Sequence, residues 1–163
     1  MIHKTTIAFL IGFILSGCTR DAVLESGKEN ASVDFEVHHN IIIVEAYVND
    51  KWSKFIVDTG ASVSLLDFTQ SKKYDFTYSI DVDNKLTGFG GRSQLMKTSE
   101  VSFAMQGALA SSSFSFSASD LSRLNRILSQ SHQRVLGILG NDFLRSHGAI
   151  IDYQQQKLVM SSY

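Results

Sequence analysis

Proline is absent from the 163 residues, and cysteine occurs once. Without proline there is no polyproline linker, and glycine, serine and asparagine must make the turns. A lone cysteine cannot close an intramolecular disulfide, so the fold must rest on buried apolar surface. An apolar content of 44% is sufficient for one domain of this length. An excess of one charge sign is missing too: 15 Lys and Arg face 16 Asp and Glu, with no basic run. No nucleic-acid partner is therefore expected. Of the five histidines, His132 and His147 have no Cys or acidic partner at ligand spacing, and adjacent His38 and His39 would point to opposite strand faces. Neither a metal nor a cofactor is expected from that pattern.

The N-terminus has the layout of an export signal. Lys4 gives a short positive region, Thr5–Leu15 an apolar run, and Leu15-Ser16-Gly17-Cys18 a small-residue ending. The apolar run is too short to cross a bilayer as a helix. Its ending resembles the bacterial lipobox, which implies cleavage before Cys18 and lipidation of its thiol. Thr19 after the cysteine, in place of Asp, implies an outer-membrane destination within the cell envelope. The expected organisation is a signal peptide over 1–17, a polar tether over 18–31 and a folded domain over 32–163.

The domain reads as strands. Val33, Phe35 and Val37 alternate with polar residues, and the β-branched run Ile41–Val48 ends at the turn candidate Asn49-Asp50. Lys51–Val57 returns as its partner and leads into Asp58-Thr59-Gly60-Ala61-Ser62. The strand pattern continues to Leu66. Gly88-Phe89-Gly90-Gly91 marks the tip of a second hairpin. Val101, Phe103 and Met105 alternate, and Phe114 and Phe116 give Ser111–Ser119 one aromatic face, predicting a single strand. Leu121, Leu124, Ile127 and Leu128 recur at helical spacing behind Ser119 or Asp120 as N-cap. Val135–Leu139 reads as a strand, Gly140-Asn141-Asp142 opens a second short helix to about His147, and Ala149–Tyr153 and Lys157–Met160 close the domain around Gln154–Gln156.

A bare Asp-Thr-Gly arises by chance in about one chain in thirty of this length at average residue usage, so its context has to carry the argument. Here it follows the apolar strand Phe55-Ile56-Val57 and precedes Ile138-Leu139-Gly140 by about eighty residues. Amide hydrolysis by carboxyl groups needs one ionised group to take a proton from water and one protonated group to polarise the carbonyl. Two carboxyls close enough to share a proton satisfy both needs, because repulsion drives their apparent pKa values apart. Only one such turn exists in the chain, so the second carboxyl must come from another copy, in a symmetric homodimer. Ser62 and Ser64 have no placed His base, which leaves a serine hydrolase without its mechanism. Gly88–Gly91 has neither the third glycine of a dinucleotide loop nor the Lys of a P-loop.

Phe55-Ile56-Val57-Asp58-Thr59-Gly60-Ala61-Ser62 and Val135-Leu136-Gly137-Ile138-Leu139-Gly140-Asn141-Asp142-Phe143-Leu144 together resemble the retropepsin-like aspartic peptidases. The tail Ala149-Ile150-Ile151-Asp152-Tyr153 is similar to cellular and bacterial members. The resemblance implies an all-β fold, a closed β-barrel with one or two short helices. It implies an aspartic endopeptidase without a cofactor, acting as a homodimer on extended peptide. Asp58, Thr59 and Gly60 would form the catalytic turn. Ala61, Ser62 and Ile138 would meet substrate, with Gly88, Phe89, Gly90 and Gly91 as a flap over it. Viral members often brace the dimer with an Asp–Arg pair at positions that are Ser62 and Asn141 here. The alternative of another class is a catalytically silent peptide-binding or structural envelope lipoprotein with the same fold.

Overall fold

The computed structural model describes residues 31–88, 91–128 and 134–161, with backbone pairing alone for most of the segment 80–95. The expected signal peptide over 1–17, Cys18 and nearly all of the expected tether lie outside the described residues, as do Phe89 and Gly90. The chain opens with a meander of β1 (Ala31–His38), β2 (Ile41–Val48) and β3 (Lys51–Val57). Both connections are two-residue turns with positive φ at each residue, His39 and Asn40 at 50° and 64°, Asn49 and Asp50 at 47° and 61°. Such turns match the twist of the paired strands, and Asn and Asp tolerate this left-handed conformation better than other non-glycine residues. The Asn49-Asp50 turn expected from sequence is therefore present. Its Asn49 amide also donates to the carbonyls of Tyr74 and Asp75, and its carbonyl oxygen accepts from Ser102 N–H.

After β3 come β4 (Leu65–Asp67), a 3-10 turn at Phe68–Gln70 and α1 (Ser71–Tyr74), which ends at Asp75 with φ of 52°. The long hairpin β5 (Tyr78–Gly88) and β6 (Gly91–Thr98) follows, its register closing at Gly88 opposite Gly91. Next are β7 (Val101–Met105), β8 (Leu109–Phe114) and β9 (Ser117–Ser119). The chain then forms α2 (Ser122–Leu128), β10 (Gly137–Leu139), α3 (Asn141–Ser146), β11 (Ile150–Asp152) and β12 (Lys157–Met160).

Mostly strands with a few short helices, the architecture agrees with the all-β expectation but not with a closed barrel. The pairing path runs β11-β12-β1-β2-β3-β10-β4-β9-β6-β5, and its two ends do not join. The reason lies in β1 and β2. β1 pairs with β12 over Ala31–Asp34 and with β2 over Phe35–His38, while β2 exchanges β1 for β7 at Tyr47 and Val48. Strands that change partners midway fold the sheet over itself, and among the described strands β5, β8 and β11 are paired on one side only. Three other expectations are corrected. Among the described residues there are three short helices, not one or two, because α1 is built from Ser71, Lys72, Lys73 and Tyr74, which carry no apolar period. Ser111–Ser119 is two strands: β8 pairs with β7, and β9 pairs with β4 and β6. In α2, Ile127 is 61% exposed and the buried position between Leu121 and Leu128 is Asn125.

The main core is aromatic. Phe103 packs edge-on against Phe55 and Phe143 at centroid distances of 5.4 and 5.3 Å, and Phe114 meets Phe116 at 4.7 Å and Phe143 at 5.3 Å. Phe55, Phe103, Phe116 and Phe143 are all fully buried, and each such ring contributes roughly 2–3 kcal/mol of burial. This cluster joins the outgoing end of β3 to α3, and so fixes the two elements that flank the Asp58 turn.

Candidate active site

The turn at Asp58 is held by strands distant in sequence. β10 runs parallel to β3, with Val57 opposite Leu139, and antiparallel to β4 on its other side. Asp58 N–H continues this ladder by donating to the Leu139 carbonyl at 3.0 Å. The chain then reverses: Ala61 N–H donates to the Asp58 carbonyl at 3.1 Å, and Gly60 N–H to the Asp58 carboxyl at 2.9 Å. Asp58, Thr59 and Gly60 are exposed. The Gly60 backbone is not left-handed. Its requirement is space, since a Cβ there would lie 3.2 Å from Asp58 Oδ1.

The far side of the turn is clamped to the start of α3. Asn141 N–H donates to the Ala61 carbonyl at 2.7 Å. The Ser64 hydroxyl donates to Asp142 at 2.6 Å while accepting from Gly140 N–H at 2.9 Å, and Ser64 N–H donates to the other Asp142 oxygen at 2.9 Å. Two glycines permit this approach. A Cβ on Gly140 would come within 2.7 Å of the Val63 backbone, and one on Gly137 would strike the Leu65 carbonyl and the Phe55 ring. Ser62 and Asn141, at the positions of the viral Asp–Arg pair, are both exposed. The ionisable contact sits one to two residues further along, between Ser64 and Asp142, and 78 residues of separation hide it from any local pattern.

Beside the turn is a cleft of about 360 Å³ lined by Asp58, Thr59, Ile41, Ile56, Ile138, Leu124 and Tyr153, among others. Asp58 is its only carboxyl among the described residues. The structure thus brings Ile138 together with Asp58 and Thr59 in one cleft. Ala61 is engaged through its backbone, and Ser62 points to solvent. Gly88 and Gly91 lie at the end of the β5–β6 ladder. Leu124 and Tyr153 were not foreseen as cleft residues; Leu124 carried a signal only for helix packing.

A second carboxyl, Asp67, is wholly buried at the end of β4. It accepts from Thr69 N–H and hydroxyl at 3.1 and 2.7 Å, from Gln70 Nε2 at 3.1 Å, and from Asn125 Nδ2 at 3.2 Å. Asn125 also donates to the Val135 carbonyl at 3.0 Å and accepts from Val135 N–H at 2.9 Å. The network ties α2 to β4 and to the segment entering β10.

Comparison with known proteins agrees with this geometry. Residues 44–143, more than half of the chain, match a family model described as aspartyl protease. No curated protein matches the chain. Among solved structures, the EIAV protease bound to an inhibitor is similar at 20% identity, covering 68% of this chain and 90% of its own, with a TM-score of 0.50. The retroviral protease-like domain of Ddi1 from Leishmania major is 19% identical, with coverage of 76% and 90% and a TM-score of 0.51. A retropepsin-like aspartic protease from Rickettsia conorii is 18% identical, with coverage of 81% and 91% and a TM-score of 0.50. At these identities the likeness is one of fold.

Proposed function

The chain belongs to the aspartyl protease family, and on that premise we propose that it is an endopeptidase whose reacting group is Asp58, paired with Asp58 of a second copy. The observation that carries this reading is the exposed Asp58 carboxyl at the mouth of an apolar cleft, on a turn bonded to β10 and α3. One Asp58 is ionised and takes a proton from water as the oxygen attacks the peptide carbonyl. The other is protonated and donates to the carbonyl oxygen. Collapse of the resulting diol breaks the C–N bond, and a proton passes to the leaving nitrogen. Like-charge repulsion within the pair keeps one proton shared between them, as in aspartic proteases generally. Thr59 and Gly60 shape the turn, and the β5–β6 hairpin closes over extended peptide with Gly88–Gly91 at its tip, excluding water.

The test is peptide-library cleavage by the full chain in detergent, beside Asp58→Asn, with the oligomeric state measured in the same samples. Cleavage that survives the substitution would reject the assignment, and so would full activity in a strictly monomeric sample. A protein that binds peptides without cutting them would be a binding module of the same fold.

The reading extends to location: Cys18 carries a lipid that holds the domain in the outer membrane of a bacterial envelope. Tethering copies in one membrane raises their effective concentration and favours pairing. Fatty-acid labelling of the wild type and of Cys18→Ser decides this, because equal labelling of the two would rule the anchor out.

A further inference from the structure

We infer that Leu124 of α2 sets the size limit for the substrate side chain seated beside the scissile bond, an inference that rests on Asp58 being the reacting group. Leu124 is the one residue of α2 that lines the cleft containing Asp58. It is half-buried, and packs with Ile41 and Ile138 against a small second core of Ile56, Leu128 and Val135. Its position is dual: part of its surface belongs to the core, and the rest closes an aliphatic wall next to the carboxyl.

That wall cannot retreat easily. The neighbouring Asn125 is 5% exposed and bonds Val135 through both its oxygen and its nitrogen, at 2.9 and 3.0 Å, with a further bond to buried Asp67 at 3.2 Å. Moving α2 outward would strand these polar groups without water. A side chain entering the cleft therefore meets Leu124 as a fixed stop among Ile41, Ile56 and Ile138. The substrate class favoured is a peptide with a compact aliphatic residue at this position. Because a rigid wall does not collapse into a void, truncating Leu124 leaves space that a larger side chain can fill.

The experiment uses the full-length protein carrying Asp58→Asn, so that peptides are held and not cut. Peptides with degenerate flanks and Ala, Val, Leu, Phe or Trp at one central position are ranked by affinity. Leu124→Ala should shift the Phe-to-Val affinity ratio about tenfold toward Phe, the scale on which a few methylenes discriminate in an apolar pocket. Leu124→Phe should move the ratio the other way, toward Ala. Ratios unchanged in both variants overturn the inference, as does the absence of any binding below about 1 mM. Cleavage with Asp58 restored is read separately: shifted ratios without cleavage retain Leu124 as the selector and reject the catalytic reading, while cleavage with unshifted ratios does the reverse.

Discussion

Asp58 and Asp67 stand on either side of one loop, and their surroundings are opposite. Asp58 is exposed and its carboxyl accepts one turn N–H, from Gly60. Asp67 is fully buried and accepts from Thr69, Gln70 and Asn125. A carboxyl saturated by fixed donors is a structural anchor, because each acceptor site is already filled and water is excluded. A carboxyl with open acceptor sites facing a cleft retains the capacity to exchange protons. The two carboxyls thus differ in hydrogen bonding, one saturated and one open, although both lie at the end of a strand next to β10.

Substitutions can break this contrast in a predictable order. Asp58→Asn should lower peptide cleavage by about 10³-fold, measured as kcat/KM, because it removes acid–base function. Its unfolding free energy should stay within about 0.5 kcal/mol of wild type, as for exposed sites in general. Asp67→Ala should do the opposite in kind, lowering the unfolding free energy by about 3 kcal/mol in urea titration, since the buried amides of Gln70 and Asn125 lose their acceptor, as does the more exposed Thr69. Ser64→Ala should cost about 1–2 kcal/mol, because Gly140 N–H and Asp142 both lose the hydroxyl. If its loss of activity exceeds its loss of stability, the clamp positions Asp58 as well as holding the fold.

The smallest effect belongs to a surface group. Hydrogen bonds from His38 and Lys54 hold the Glu36 carboxyl below its usual value of 4.5. A carboxyl depressed in the folded state stabilises above its unfolded pKa, and this contribution is lost as pH falls through the lowered folded value. Glu36→Gln should therefore be slightly less stable than wild type at neutral pH and equal to it in strong acid, with 1 M salt shrinking the gap. A difference that grows as the pH is lowered would contradict the assigned sign.

The meander β1–β3 and the Asp58 turn were legible because local alternation, β-branching and an Asn-Asp turn all point the same way. Ser64–Asp142 and Asp67–Asn125 were not, because each bond joins segments more than fifty residues apart and polar residues give no periodic signal. Asn125 shows the difficulty most clearly. Within α2 the apolar stripe named Ile127, yet the inward face takes an amide there and leaves Ile127 to solvent, because Val135 offers both an N–H and a carbonyl to be satisfied. The barrel expectation failed for a related reason: nothing in the residues of β2 announces that its edge passes from β1 to β7.

The parallel pairing of β3 with β10 also orders events in time. Asp58 leaves the ribosome early, but the carbonyl that receives its N–H belongs to Leu139, and the carboxyl that receives Ser64 belongs to Asp142. Contacts so distant along the chain form late and slowly in folding. A nascent chain short of residue 142 holds the Asp58 carboxyl on an unsupported loop, so the turn is completed only when nearly the whole domain has been made.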